Sequence, residues 1–157
     1  MTYSDSELNR AVLQEIINSH RFFEAWFSGQ CEGGDAYFSK HLLSRIAPDF
    51  HIVMPGGKLM SGKSLLGDIR KAYGTNPQFK IEIRNVVGRR LDKIGVLMLA
   101  TYEEWQKNAL NSKPANNARL SSALFRRDPS VPNGFLWVHV HETWLPEAVV
   151  SVDRFDF

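Results

Sequence analysis

Cysteine is nearly absent: the 157-residue chain has one, Cys31. An intrachain disulfide is therefore excluded, and nothing in the fold calls for an oxidising compartment. Long apolar runs are missing too. The longest, Val96–Ala100, falls far short of the roughly 20 residues that span a bilayer as a helix. The N-terminal stretch MTYSDSELNR is polar and acidic and lacks the basic-then-apolar order of a signal peptide. Neither sign of charge dominates: 19 Lys and Arg against 17 Asp and Glu leave +2, and the pairs Arg89-Arg90 and Arg126-Arg127 are dispersed. Neither nucleic acid nor a membrane is expected as a partner. There is no internal repeat and no low-complexity tract. What remains, 43% hydrophobic and 23% charged residues, is the composition of a folded domain, of a length that suits one core. The expectation is one soluble, cytoplasmic domain.

Helical pattern comes first. Ser4-Asp5-Ser6-Glu7 reads as a capping box. Leu8, Val12, Ile16, Phe23 and Phe27 follow at helical spacing, and Gly29 supplies the stop, so the first helix is predicted over 4–28. Asp35 starts a second helix with Phe38, Leu42 and Ile46 on its stripe, ended by Pro48. Asp49–Met54, Pro55-Gly56-Gly57 and Lys58–Met60 read as a short hairpin. Ser61 caps a third helix carrying Leu65, Leu66, Ile69 and Tyr73. After Pro77 the period changes to two. Strands are predicted from Phe79, over Ile94–Gln106, over Arg119–Arg127 and over Phe135–Leu145, longer than is usual and so strongly twisted. The order is three helices, a hairpin between the second and third, and a four-stranded meander. That is an α+β fold with helices on one face of a bent sheet.

Several segments in this order carry a resemblance. They are Phe22-Phe23-Glu24-Ala25-Trp26-Phe27, Pro48-Asp49-Phe50, Pro55-Gly56-Gly57, Ser121–Arg126 and the closing Trp137–Trp144. Together they resemble the nuclear-transport-factor-2-like (SnoaL-like) superfamily. The last segment is similar to the association domain of calcium/calmodulin-dependent protein kinase II and its bacterial relatives. The resemblance covers about residues 8–146 and makes 1–157 a single domain. It implies a cone-shaped α+β barrel, with three helices on the concave face of a strongly curved, mainly antiparallel mixed sheet. It also implies a pocket inside the cone and dimers through the sheet's outer face. The superfamily holds isomerases, dehydratases, cyclases, hub domains and transport adaptors, so fold alone leaves the chemistry undecided.

Side chains alternate across a strand, so parity sorts the faces. In the last strand Leu136, Val138, Val140, Glu142 and Trp144 share one face, and Trp137, His139, His141 and Thr143 the other. The aliphatic set is expected to face the helices, which brings Glu142 inside. A carboxylate there must be paired or keep its proton, and either state suits a general acid or a donor to a bound carbonyl. The same logic selects Ser122 from the third strand of the meander and Thr101 and Glu103 from the second. The expected site is then Glu142 as acid/base and His51 as auxiliary base. Trp26, Phe22, Tyr37, Tyr73, Thr101, Glu103, Ser122 and Trp144 are the expected ligand-binding walls. Blander readings stand beside these. Glu142 pairs structurally with Arg126 or another Arg, and His51 is an ordinary strand histidine. Trp26, Phe22 and Trp144 are core, Glu103-Glu104 is a solvated strand end, and Cys31 is inert.

The expected function is small-molecule binding inside the cone, with lyase or isomerase chemistry on an apolar, carbonyl-bearing or ring substrate and no cofactor. The alternative is a non-catalytic ligand-binding or assembly domain. Met98, Ala100, Tyr102, Phe125, Trp137 and His139 are expected on the outer face, where so large an apolar patch calls for a homodimer. His139-x-His141 has strand spacing suited to a metal, but the helix-first order does not fit a metal-binding jelly roll, and no metal is expected. The resemblance also warns against particular chemistries. Met54 stands where ketosteroid-type isomerases carry an Asp base. Thr101, Ser122 and Glu142 stand where the kinase hub domains carry pocket arginines.

Overall fold

The computed structural model describes residues 4–157; residues 1–3 of the expected domain and N-terminal stretch lie outside the described residues. Helix α1 spans Asp5–Ser28. Its capping box is formed: the Glu7 amide donates to Ser4 Oγ and the Ser4 amide donates to Glu7 Oε2, which satisfies two orphan amides reciprocally. Gly29 closes the helix at φ 71°, a left-handed cap that favours glycine. Helix α2, Asp35–His41, is short and passes through a single 3-10 turn, Leu43–Arg45, into strand β1, Ile46–Val53. Ile46 and Pro48 therefore belong to a strand and not to the second helix. Pairing of β1 with the last strand slips between Ile46 and His51, and that irregularity accommodates a proline with no N–H to donate. Strand β2, Leu59–Ser61, returns antiparallel to β1, and Ser61 Oγ caps helix α3, Gly62–Lys71.

Four long strands follow: β3 Lys80–Arg90, β4 Leu97–Lys107, β5 Asn117–Arg127 and β6 Phe135–Trp144. The sheet order is β2-β1-β6-β5-β4-β3, antiparallel throughout except where β1 runs parallel to β6. The three helices and the mixed, unclosed sheet make the expected α+β cone. Among the described residues no helix is long and apolar enough to cross a membrane.

The faces differ from the parity reading, and two physical causes account for it. In β6, Trp137 pairs with Phe125 and His139 with Leu124, so Val138 is an extra residue, a β-bulge that reverses the alternation. Phe135 and Trp137 before the bulge, and Val140 and Glu142 after it, all turn inward. In β4 both parity sets begin apolar, and the inward one is Met98, Ala100, Tyr102 and Glu104. With Phe125, Trp137 and the α1 residues Leu8, Val12 and Ile16 these form the main core, each large buried side chain contributing roughly 1.5–3 kcal/mol. Met98, Ala100, Tyr102, Phe125 and Trp137 are thus core residues, at most 5% exposed, and cannot be the dimer patch expected of them. The convex face instead carries Leu97, Leu99, Leu120, Leu124, Leu136 and Val138, with Thr101, Ser122 and the exposed His51 and His141 among them. A second cluster joins Phe22, Trp26, Phe38, Leu42 and Ile69 between α1, α2 and α3. On the convex side of β4, Phe155 packs at 5.3 Å from Trp105, with Arg84 and Arg154 at 4.5 and 4.7 Å from the same indole.

Candidate functional site

A cavity of about 180 Å³ lies between the concave sheet, α1 and α3. Its walls are largely apolar, Phe23, Phe27, Leu65, Ile52 and Val140 among them, and its polar groups include Ser19, His20, Tyr102, Glu104, Gln106, Arg119 and Glu142. Strand register explains why these converge. Tyr102, Ser121 and Glu142 are direct partners across β4, β5 and β6, and Glu104, Arg119 and Trp144 form the next row. Partners two residues on share a face, so the two rows stack along the concave wall. Helix α1 adds His20 from the side. A second space of about 390 Å³, bordered by Asn76, Phe79 and Leu110, shares Phe27, Met54, Gln106 and Arg119 with the first.

The polar groups form one network. His20 Nδ1 lies 2.7 Å from the Ile16 carbonyl and Nε2 lies 3.1 Å from Glu104 Oε2. Gln106 Nε2 donates to Glu104 Oε1. Arg119 donates through Nη1 to Glu142 Oε2 at 3.0 Å and through Nη2 to Gln106 Oε1 and Asn117 Oδ1 at 3.1 and 3.2 Å. Its guanidinium sits over Trp144, 5.1 Å from the ring. Glu104, Arg119 and Glu142 are each 6% exposed and His20 4%. Burial alone would raise both carboxyl pKa values. At Glu104 the charges of His20 and Arg119 and two donors outweigh it and hold the group at about 2. At Glu142 burial is reinforced by the Glu104 charge, and against Arg119 these push it up to about 7. Burial works against an imidazolium at His20, but the Glu104 charge and hydrogen bond prevail and raise it. Burial, then Glu104 and Glu142, put the Tyr102 hydroxyl well above the ordinary tyrosine value. Two carboxylates driven apart in this way are the arrangement from which an acid and a base are made.

Residues 12–146 match the family described as sucrose-6-phosphate phosphohydrolase C-terminal. The chain belongs to that family. It is 25% identical over 151 residues to sucrose-phosphatase 1 of Nicotiana tabacum, covering 94% of this chain and 34% of the relative. To sucrose-phosphatase 2 of the same plant it is 25% identical over 154 residues, covering 96% and 35%. The chain thus spans about a third of the length of these relatives. Among solved structures, an NTF-2-like protein of unknown function from Pseudomonas aeruginosa matches at TM-score 0.71 and 26% identity, over 87% of this chain and 99% of that one. The S. rosetta calcium/calmodulin-dependent kinase II hub matches at TM-score 0.64 and 15% identity, over 87% and 95%. The nuclear-transport-factor-2-like fold of this family member follows from these matches.

Of the residues selected from sequence, only Glu142 lines the cavity. Trp144 stands beside it under Arg119, 44% exposed. His51 is exposed on β1, its Nδ1 bonded to the Asp49 carbonyl at 2.8 Å, on the opposite side of the strand from the cavity-lining Phe50 and Ile52. Thr101 and Ser122 pair with each other on the convex face, and Glu103 accepts from Trp105 Nε1 there. Trp26 donates to the Ile69 carbonyl at 2.8 Å and stacks with Phe22, which stacks in turn with Tyr37. Tyr73 donates to the Cys31 carbonyl. These four form the second core cluster and its edge, and the α1 residues at the cavity are their neighbours Ser19, His20, Phe23 and Phe27. No group of three or more His, Cys, Asp or Glu side chains able to hold a metal comes together among the described residues. The residues that sequence reasoning missed are His20, Glu104, Gln106 and Arg119. The available signal was the parity of Tyr102 and Glu104 with Met98 and Ala100.

Proposed function

We propose that the cone binds a small molecule with an apolar body and a polar head, and that Glu142 serves it as acid/base, the chemistry of a lyase or isomerase. One observation carries this reading: Glu142 is buried on the wall of a cavity with apolar sides and a polar end, has a single protein donor among the described residues, and is poised at about pH 7 by burial and by Glu104. A general acid works best when its pKa lies near the working pH. His51 faces away and takes no part in this reading, while the His20–Glu104 pair keeps a negative charge beside Glu142 and holds its proton in place. The test is a screen of ring and carbonyl compounds by thermal melting, followed by turnover assays on each compound that binds. Binding with turnover that Glu142→Gln abolishes supports the reading. Binding with identical turnover in the variant sinks the catalytic half.

A second reading is favoured by the family match. In the sucrose-phosphatases a domain of this kind is part of a longer chain, and here it would be a non-catalytic ligand-binding and assembly domain. Its ligand would be a sugar or sugar phosphate, and the leucines of the convex face would seat a second copy, since a self-complementary sheet face closes into a two-fold pair. Calorimetry with sucrose and sucrose 6-phosphate tests the first part. Sedimentation of the wild type and Leu124→Arg tests the second: a dimer that the substitution disperses supports assembly, and an unchanged monomer removes it.

A further inference from the structure

Hydrogen-bond directions set the two cavity carboxyls apart. A guanidinium only donates. Arg119 Nη2 meets Gln106 Oε1, so the amide must turn its Nε2 toward Glu104 Oε1, where the structure has it. A backbone carbonyl only accepts, so His20 carries a proton on Nδ1 for Ile16. Its Nε2 is left facing the second oxygen of Glu104. With Glu104 held ionised and His20 raised, the proton between them sits on Nε2, so Glu104 has a donor on each oxygen and the two form an imidazolium–carboxylate pair. Glu142 is supplied differently. Arg119 Nη1 reaches Oε2, and among the described residues no group meets Oε1. The charged and titratable groups facing it are His20 from α1, Tyr102 and Glu104 from β4 and Arg119 from β5. The negative charge of the pair is lodged on Glu104, and the exchangeable proton belongs to Glu142.

We propose that the floor of the cavity is a proton-linked acceptor site. It takes a ligand whose head group is an acceptor-only oxygen, a carbonyl or a carboxylate, held by the protonated Glu142 Oε1. Glu104, Gln106 and His20 are positioning residues that keep the proton there. A donor head group such as an ammonium would find each oxygen of Glu104 already engaged by a protein partner and Glu142 presenting O–H. The inference rests on the small-molecule reading of the cavity and adds to it the ligand class and the groups that select it.

The experiment titrates the full chain with three probes of one shape, cyclohexanone, cyclohexanecarboxylate and cyclohexylamine, across the titration of Glu142. Only the protonated form binds an acceptor, so the apparent Kd of the ketone, the carboxylate or both should weaken about tenfold between about pH 6 and pH 8. Glu142→Gln keeps an N–H donor, so ketone binding should persist there with the pH slope gone. A ligand-free readout checks the positioning residues: the infrared carboxylic-acid band of Glu142, absent in Glu142→Gln, should titrate at lower pH in Glu104→Gln. A slope that survives in Glu142→Gln, or a band whose midpoint ignores Glu104→Gln, overturns the inference. The amine binding more tightly than both acceptors also overturns it but leaves the cavity a small-molecule site. If no probe binds at any pH, the small-molecule reading falls with it.

Discussion

Two buried glutamates sit within the same fold and are treated in opposite ways. Glu15 of α1 is fully buried. Ser19 Oγ and Trp137 Nε1 donate to its Oε1 at 3.1 and 3.0 Å, Asn133 Nδ2 donates to Oε2 at 2.9 Å, and Arg45 Nη1 pairs with the same oxygen. Burial pushes its pKa up, against Asn133, Arg45, Trp137 and Ser19. Glu142 is nearly as buried, shares one donor, and borders a cavity. A carboxylate with both oxygens saturated ties α1, the turn before β1, the β5–β6 turn and β6 into one unit. A carboxylate left half-supplied retains a proton it can give. The difference between a structural and a chemical glutamate here lies in the donors around it, since burial is much the same.

The largest expected effect follows from emptying the saturated site. Glu15→Ala leaves Arg45, 9% exposed, and the Trp137 and Asn133 donors without their acceptor. Breaking a buried ion pair by removing one partner costs about 3–5 kcal/mol, and urea unfolding should register a loss of that order. A loss below about 1 kcal/mol would mean that Arg45 finds water at once and that the two glutamates are not so different.

Next in size is a pH dependence that belongs to the half-supplied site. Glu142 goes from 4.5 in the unfolded chain to about 7 in the fold. Between those values the unfolded chain releases a proton the folded chain keeps, so stability falls as pH rises through that window. At 1.36 kcal/mol per unit the fall is on the order of 3 kcal/mol at most. Glu15, also raised, adds in the same direction. His20, raised from 6.5, contributes stability that is present below that value and lost as pH climbs through its folded one. Glu104, lowered to about 2, acts on the acid side, where its contribution disappears between 4.5 and about 2. Urea midpoints measured at about pH 5 and pH 7.5 should differ accordingly, and Glu142→Gln should remove most of the difference above 4.5. At neutral pH the same variant should match or exceed the wild type, whereas Glu15→Gln, which turns an amide N–H toward donors, should lose roughly 1–3 kcal/mol.

Legibility in the sequence divides along the same line. The capping box Ser4–Glu7, the turn Pro55-Gly56-Gly57 and the period-two runs are local signals, and they located the helices, the hairpin and the meander. Parity brought Glu142 to the concave face because Val140, one pleat away, anchors that half of β6. It failed for Trp137, because a bulge at Val138 inserts a residue without changing the composition of the strand. It failed for Thr101 and Glu103 because β4 is apolar on both faces where it begins, and for Ser122 because its companions Leu120 and Leu124 in β5 belong to the leucine-bearing convex side while Ala123 and Phe125 face the core. Once Glu104 was assigned to a solvated strand end, its partners His20 and Gln106 had no reason to be noticed. Arg119 was foreseen only as an unnamed arginine, since pairing across strands depends on register that one sequence does not contain.

The smallest expected effect tests that division where it is sharpest. His51, selected from sequence as an auxiliary base, is exposed, and its ring is held by the Asp49 carbonyl of its own strand. It neighbours His139 across the β1–β6 pairing and has Phe50 and Ile52 between its strand face and the cavity. His51→Ala removes one local hydrogen bond at an exposed position, and surface substitutions of this kind stay within about 0.5 kcal/mol. Ser122→Ala, on the same convex face, should behave alike. Neither should move the infrared titration of Glu142, because His51 and Ser122 are absent from the groups that set it. A shift of that midpoint in His51→Ala would mean that charge on the convex face reaches through the sheet. The concave network would then no longer account for Glu142 by itself, and the contrast with Glu15 would have to be redrawn around the whole sheet.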